Sequence, residues 1–201
     1  MVCVNVEPNI TDYEKAHGEF SWEVPEEYNF AWDTVDRWAR DRTKLALITV
    51  FQDGWSHEML SYWYLSVQSK KFTNVLRELG VHKGDKVFVM LPNCSEFYIV
   101  TLGAIRMGAL FMPTPTLSTS KDIRYRITRS EASVVVTTGA FAARVDEVID
   151  ELPTVKHRMV IDDVVPPGWL SYRWYMDRAS RRLSPEDVGG MHAAAPVLVV
   201  P

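Results

Sequence analysis

Cysteine is scarce: Cys3 and Cys94 are the only two in 201 residues. That excludes a disulfide-stapled secreted scaffold, and a reducing compartment fits. Long uncharged apolar runs are also missing. The most apolar stretch, FYIVTLGAIRMGALFMPTP (97–115), is interrupted by Arg106 and stopped by Pro113, so no membrane span is expected. Neither sign of charge dominates. With 22 basic and 26 acidic residues and a net charge of −4, the chain has no overall attraction to nucleic acid or anionic membrane. The N-terminus lacks a charged start followed by an apolar run and a small-residue cleavage site. The expected location is the cytoplasm, and the sequons at Asn9 and Asn93 are then fortuitous.

The recognisable reactive motifs are missing as well. There is no G-x-x-x-x-G-K-[ST], no G-x-G-x-x-G, no G-x-S-x-G and no metal-spaced Cys/His cluster. His17, His57, His82, His157 and His192 each stand alone, which points to surface or loop roles. Lys121, Arg124, Arg126 and Arg129 bunch in TSKDIRYRITR (119–129). A solvated helix face is the first reading of that bunch, and contact with a ligand's phosphates the second. Thr137, Thr138 and Gly139 follow an apolar run, but one glycine and no lysine fall short of a phosphate loop. A strand-to-helix turn explains them.

What is present is a regular alternation of elements. Seven Trp, eight Tyr and eight Phe supply a filled core. Residues 1–26 carry acids, Pro8 and Pro25 without a steady period, and read as an extension laid over a neighbour. NFAWDTVDRWARD (29–41) reads as a helix with Ala31, Trp32, Val35, Trp38 and Ala39 inward. LALITVF (45–51) reads as a strand and Asp53-Gly54 as a hairpin turn. Glu58 to Leu79 reads as a long amphipathic helix closed by a left-handed Gly80. Strands KVFVML (86–91), ALFMP (109–113), SVVVTT (133–138) and HRMVID (157–162) then alternate with helices over Ser95–Met107, Thr119–Arg129 and Ala140–Leu152. Near-continuously apolar strands between such helices indicate an α/β fold with a parallel sheet covered on both faces. In such sheets ligands sit beyond the carboxyl ends of the strands, which makes the loop after KVFVML a place to look.

Three segments, in this order, carry a likeness. YNFAWDTVDRWARD (28–41), LRELGVHKGDKVFVMLPNCSEFYIVTLGAIRMGALFMPTPTLSTSKDIRYRI (76–127) and PGWLSYRWYMDRAS (167–180) resemble the N-terminal part of adenylate-forming, AMP-binding acyl-CoA synthetases. The medium-chain group is the most similar. The likeness runs over about residues 27 to 183 and divides the chain into an extension (1–26), a synthetase-like part (27–185) and an aberrant or truncated tail (186–201). It implies a partial parallel sheet flanked by helices, the first part of that family's N-terminal domain.

The resemblance also implies chemistry. Such enzymes join a carboxylic acid to CoA in two steps: the carboxylate attacks the α-phosphorus of ATP, giving acyl-adenylate and pyrophosphate, and the CoA thiol then displaces AMP. Donors and Mg²⁺ must be in place around the phosphoryl oxygens. The family's Ser/Thr/Gly-rich loop is expected soon after SPED (184–187), where GGMHAAAPVLVVP (189–201) stands instead. The chain is therefore expected to carry no catalytic residue and no metal ligands, to hold ATP, CoA and Mg²⁺ at most weakly, and to be inactive alone. The alternative is a non-catalytic partner of a full-length synthetase. What the resemblance does carry over is a CoA site: the turn Thr114, Pro115, Thr116 and Leu117, and Arg144 as a contact to a CoA phosphate.

Overall fold

The computed structural model describes residues 10–22, 25–51 and 53–189. The described part of the N-terminal extension forms one short helix, α1 (Tyr13–Glu19), with Asp12 as its cap and no buried residue. The expected packing on a neighbour is not found there. YEKAHGE offers only Tyr13 and Ala16 as apolar surface, too little to hold a helix down.

The chain enters the core through a π-helical turn (Phe30–Val35) that runs into α2 (Asp36–Trp38). Asn29 pins this entry: its side chain accepts from the Ala31 amide and donates to the Ile105 carbonyl at 2.7 Å. Ala31, Val35 and Ala39 point inward as expected, but Trp38 is exposed and lies over the Lys44 ammonium, 4.1 Å from its ring centre. The wider π turn shifts the phase of the helix, so a 3.6-residue period misplaces the last tryptophan.

Strands β1 (Leu45–Val50) and β2 (His57–Ser61) form an antiparallel hairpin, and α3 (Tyr62–Glu78) follows at once. The helix expected from Glu58 thus begins only at Tyr62. Leu60 suits either period, but the backbone of 57–61 finds its partners in β1, and Ser61 accepts the Tyr64 amide as the helix cap. Gly80 has φ 72°, the left-handed conformation that ends α3 as expected.

The remaining strands are β3 (Lys86–Met90), β4 (Leu110–Pro113), β5 (Val134–Thr137), β6 (His157–Val160) and β7 (Leu170–Ser171). They make one parallel sheet in the order β4-β3-β5-β6-β7. Between them run α4 (Ser95–Met107), α5 (Ser120–Ser130) and α6 (Gly139–Asp146), and α7 (Tyr172–Arg178) follows β7. Strand alternation splits the sheet's side chains between two cores. Val87, Val89, Val134, Val136 and Met159 pack with α3, α4 and α7. Phe88, Met90, Val135 and Val160 pack with α5 and α6. Burying each such side chain contributes about 1.5–3 kcal/mol, which is why both faces read as apolar in sequence. The helix expected over Ala140–Leu152 stops at Asp146, and a 3₁₀ turn (Ile149–Glu151) still brings Val148 and Leu152 inside.

Candidate functional site

The strand order creates a switch point. α4, which follows β3, lies on the α3 side of the sheet, whereas α6, which follows β5, lies on the other side. The loops leaving β3 and β5 therefore diverge at their carboxyl ends, the usual ligand crevice of an open α/β sheet. Thr137 Oγ1 ties the two ends together by donating to the Met90 carbonyl at 2.8 Å. Beside it the Thr138 hydroxyl is buried without a partner among the described residues, and so is the Thr114 hydroxyl after β4. Two others, Thr101 in α4 and Ser133 at the amino end of β5, lie away from this edge. A buried hydroxyl left unpaired costs stability, so the pair at the carboxyl edge is suited to a hydrogen-bonding ligand.

The structure brings together the residues singled out for CoA. Arg144 Nη1 donates to the carbonyls of Thr116 at 2.7 Å and Ser118 at 3.0 Å, and its guanidinium stacks on Phe141. The Ser118 amide closes the turn on the Pro115 carbonyl at 3.0 Å. Thr114 is buried, while Pro115 and Leu117 are exposed. Arg144 therefore clamps the turn from α6, across the intervening α5. With an orphaned hydroxyl and a cation at one turn, these residues fit a phosphate-bearing, hydrogen-bonding ligand such as CoA.

ATP and Mg²⁺ find no such fit. The first amide of α6, Gly139 N–H, donates to Asp162 Oδ2 at 2.5 Å. The positive end of α6, which could otherwise attract a phosphate, holds a carboxylate of the chain itself. Among the described residues no group of three His, Cys, Asp or Glu could hold a metal ion.

A cleft of about 490 Å³ separates the hairpin from the loop after β3, with Thr49, Phe51, Glu58, Asn93 and Cys94 in its walls. Burial pushes the Cys94 thiol up to about 11, and Glu96 adds to the shift, so Cys94 is not a nucleophile near neutral pH. Burial likewise raises the Tyr172 phenol, with Glu96 reinforcing it. The histidines act singly. His157 donates from Nε2 to the Leu79 carbonyl at 2.9 Å, holding the end of α3, and His192 lies outside the described residues. On α5, Arg124 pairs with Glu151 at 2.7 Å in a partly exposed bridge, as a solvated face requires.

A model of the AMP-binding enzyme family matches residues 35–190. The chain belongs to the AMP-binding enzyme family. It is 34 % identical to the human mitochondrial acyl-coenzyme A synthetase ACSM2B over 181 residues, 86 % of this chain and 31 % of that protein. To human mitochondrial acyl-coenzyme A synthetase ACSM5 it is 32 % identical over 163 residues, 78 % of this chain and 28 % of the relative. Among solved structures, an acyl-CoA synthetase of Brucella canis is similar with a TM-score of 0.74 and 25 % identity, over 86 % of this chain and 33 % of that one. The chain thus spans about a third or less of the relatives it matches, and its sheet and helices correspond to part of an acyl-CoA synthetase fold. Among the described residues no helix is long and apolar enough to cross a membrane.

Proposed function

We propose that this chain supplies the N-terminal scaffold of an acyl-CoA synthetase, with residues 27–185 as the synthetase-like unit. The intact enzyme would convert a carboxylic acid, ATP and CoA to acyl-CoA, AMP and pyrophosphate through an acyl-adenylate. The observation that carries this reading is the family match over residues 35–190, together with a span of only 28–33 % of the relatives' lengths. In this reading the carboxyl edge of the sheet receives CoA. Arg144 holds the turn Thr114–Leu117 in shape, and the Thr114 hydroxyl offers a hydrogen bond to the ligand. ATP and Mg²⁺ are handled by parts of the synthetase outside these residues, since the α6 terminus is filled by Asp162.

The 201-residue chain therefore makes no acyl-adenylate by itself. ATP–pyrophosphate exchange measured on the purified chain with carboxylic acids of graded length tests this, and exchange above the buffer control refutes it. The alternative, a regulatory partner of a full-length synthetase, requires capture of such an intact enzyme. We place the chain in the cytoplasm on its cysteine usage; the human relatives are mitochondrial by name, and cell fractionation distinguishes the two.

A further inference from the structure

One side of α3 is not absorbed by either core. Trp63, Val67, Lys70 and Asn74 recur along it at helical spacing, and none of them joins a hydrophobic cluster. Asn74 donates from Nδ2 to the carbonyls of Ser180 at 2.8 Å and Arg182 at 3.0 Å, and Arg77 Nη1 donates to Asn74 Oδ1 at 2.9 Å. The segment after α7 is thereby fastened across the helix, with Arg181 between the two held carbonyls. A cleft of about 220 Å³ results, walled by Ala39 and Arg40 at the end of α2, by Trp63, Val67 and Lys70, and by Arg181. The Arg42 guanidinium lies 5.3 Å from the centre of the Trp63 ring and adds a further cation beside it.

Asp36 is the one carboxylate in these walls, and it is already engaged. Its oxygens take the buried Arg106 guanidinium, Lys70 at 2.9 Å and Ser66 at 2.6 Å. Arg106 alone balances that charge, so Lys70 and the exposed Arg40 and Arg181 are in surplus. Neither Arg40 nor Arg181 forms an ion pair among the described residues, although the whole chain carries a net charge of −4. Like charges held in one cleft repel, and an anion between them relieves that repulsion. The cleft on α5 lined by Lys121, Arg124 and Arg129 differs, because Glu151 lies in its wall and takes Arg124. Two guanidinium forks and an ammonium suit the several oxygens and near-double charge of a phosphate better than a lone carboxylate. Trp63 and Val67 offer apolar surface to the group that bears it. At about 30 Å³ per water in the liquid, the cleft admits a phosphate and part of its substituent. We propose that this cleft binds a phosphate monoester. α4 leaves the carboxyl end of β3 and carries Arg106 near its far end, so the cleft lies toward the amino edge of the sheet, apart from the turn Thr114–Leu117. The proposal does not rest on the synthetase reading.

Isothermal titration calorimetry of the 201-residue chain at constant ionic strength tests this, with inorganic phosphate and phenyl phosphate as probes. Both are expected to bind saturably, phenyl phosphate about fivefold more tightly because its ring rests on Trp63. Arg40→Gln and Arg181→Gln each weaken both probes about tenfold, the loss of one charge-assisted hydrogen bond. Thermal melting stays unchanged in these variants, since neither side chain holds an ion pair of the fold. Lys121→Gln, in the other cationic cleft, leaves both affinities as they are. The proposal is overturned by the absence of saturable binding, by equal affinity in the Arg40 and Arg181 variants, or by an equal loss in Lys121→Gln. A loss confined to Arg144→Gln overturns it too, because the phosphate would then sit at the turn Thr114–Leu117. Vesicles containing phosphatidic acid identify the carrier of the phosphate. Sedimentation with wild type but not with Arg40→Gln or Arg181→Gln supports a lipid headgroup in the cleft. No sedimentation, beside bound phenyl phosphate, supports a soluble ester there.

Discussion

Removing Asp36 would strand a guanidinium in the core. Arg106 is 1 % exposed, and its Nη2 and Nη1 lie 2.5 and 3.1 Å from the two Asp36 oxygens. Its Nε donates to Ser69 Oγ at 2.9 Å, and the guanidinium lies 4.5 Å from the centre of the Trp32 ring. Ser66 and Lys70 also donate to the same carboxylate. The network ties the entry turn and α2 to α3 and α4. Breaking a buried pair from one side costs about 3–5 kcal/mol, and the partial exposure of Asp36 favours the lower end. At about 2–4 °C per kcal/mol for a chain of this size, Asp36→Ala should lower Tm by roughly 6–12 °C near neutral pH. Replacing Arg106 by Met as well removes the stranded charge, and the double variant should regain most of the loss. Burial works against the Asp36 carboxylate, but the Arg106 hydrogen bonds and charge outweigh it and hold its pKa below the ordinary value. A depressed carboxylate contributes stability that is present above its unfolded pKa and is lost as pH falls through the folded one. The gap between wild type and Asp36→Ala should therefore close in acid. Calorimetric melts across pH measure it; equal Tm values at neutral pH, or a gap that persists in strong acid, would refute the reasoning.

Three further outcomes follow from single contacts. A Cβ at Gly103 would stand 2.7 Å from Phe72 Cδ1 and 3.1 Å from the Ser69 carbonyl, and Phe72 is fully buried. Gly103→Ala should thus destabilise by about 1–2 kcal/mol despite the gain in helix propensity, and a raised urea midpoint would contradict this. Arg144→Gln removes both bonds from Nη1 to the turn; hydrogen exchange should show a faster Ser118 amide, and unchanged exchange would show that the clamp carries no weight. In a Cys3→Ser background, Cys94 at pH 8 should react with Ellman's reagent about two orders of magnitude more slowly than an ordinary thiol, because burial leaves little thiolate. Labelling at the rate of free glutathione would overturn that assignment.

The parallel sheet was legible because its strands are buried on both faces, so Val87 to Met90 and Val134 to Val136 read as unbroken apolar runs. Elements with weaker constraints were not. β7 spans two residues, too few for any period, and the start of α3 was blurred because Leu60 suits a strand and a helix equally. The π turn at Phe30–Val35 has no composition signal, and it displaced Trp38 from the expected face. At the site, the resemblance pointed to the turn Thr114–Leu117 and to Arg144 separately. Their contact depends on α5 crossing beneath the sheet, which spacing alone does not reveal. Asp162 on the α6 terminus was missed because a carboxylate after a strand carries no local mark of where it points. Arg106 was read only as an interruption of an apolar stretch; its partner Asp36 is 70 residues away in sequence.

The central claim is that these residues build a synthetase scaffold whose phosphate chemistry comes from elsewhere in the synthetase. ATP–pyrophosphate exchange on the 201-residue chain alone, with carboxylic acids of graded length, addresses it most directly. The account predicts no exchange above the buffer control from the chain alone. Exchange by the isolated chain would contradict it.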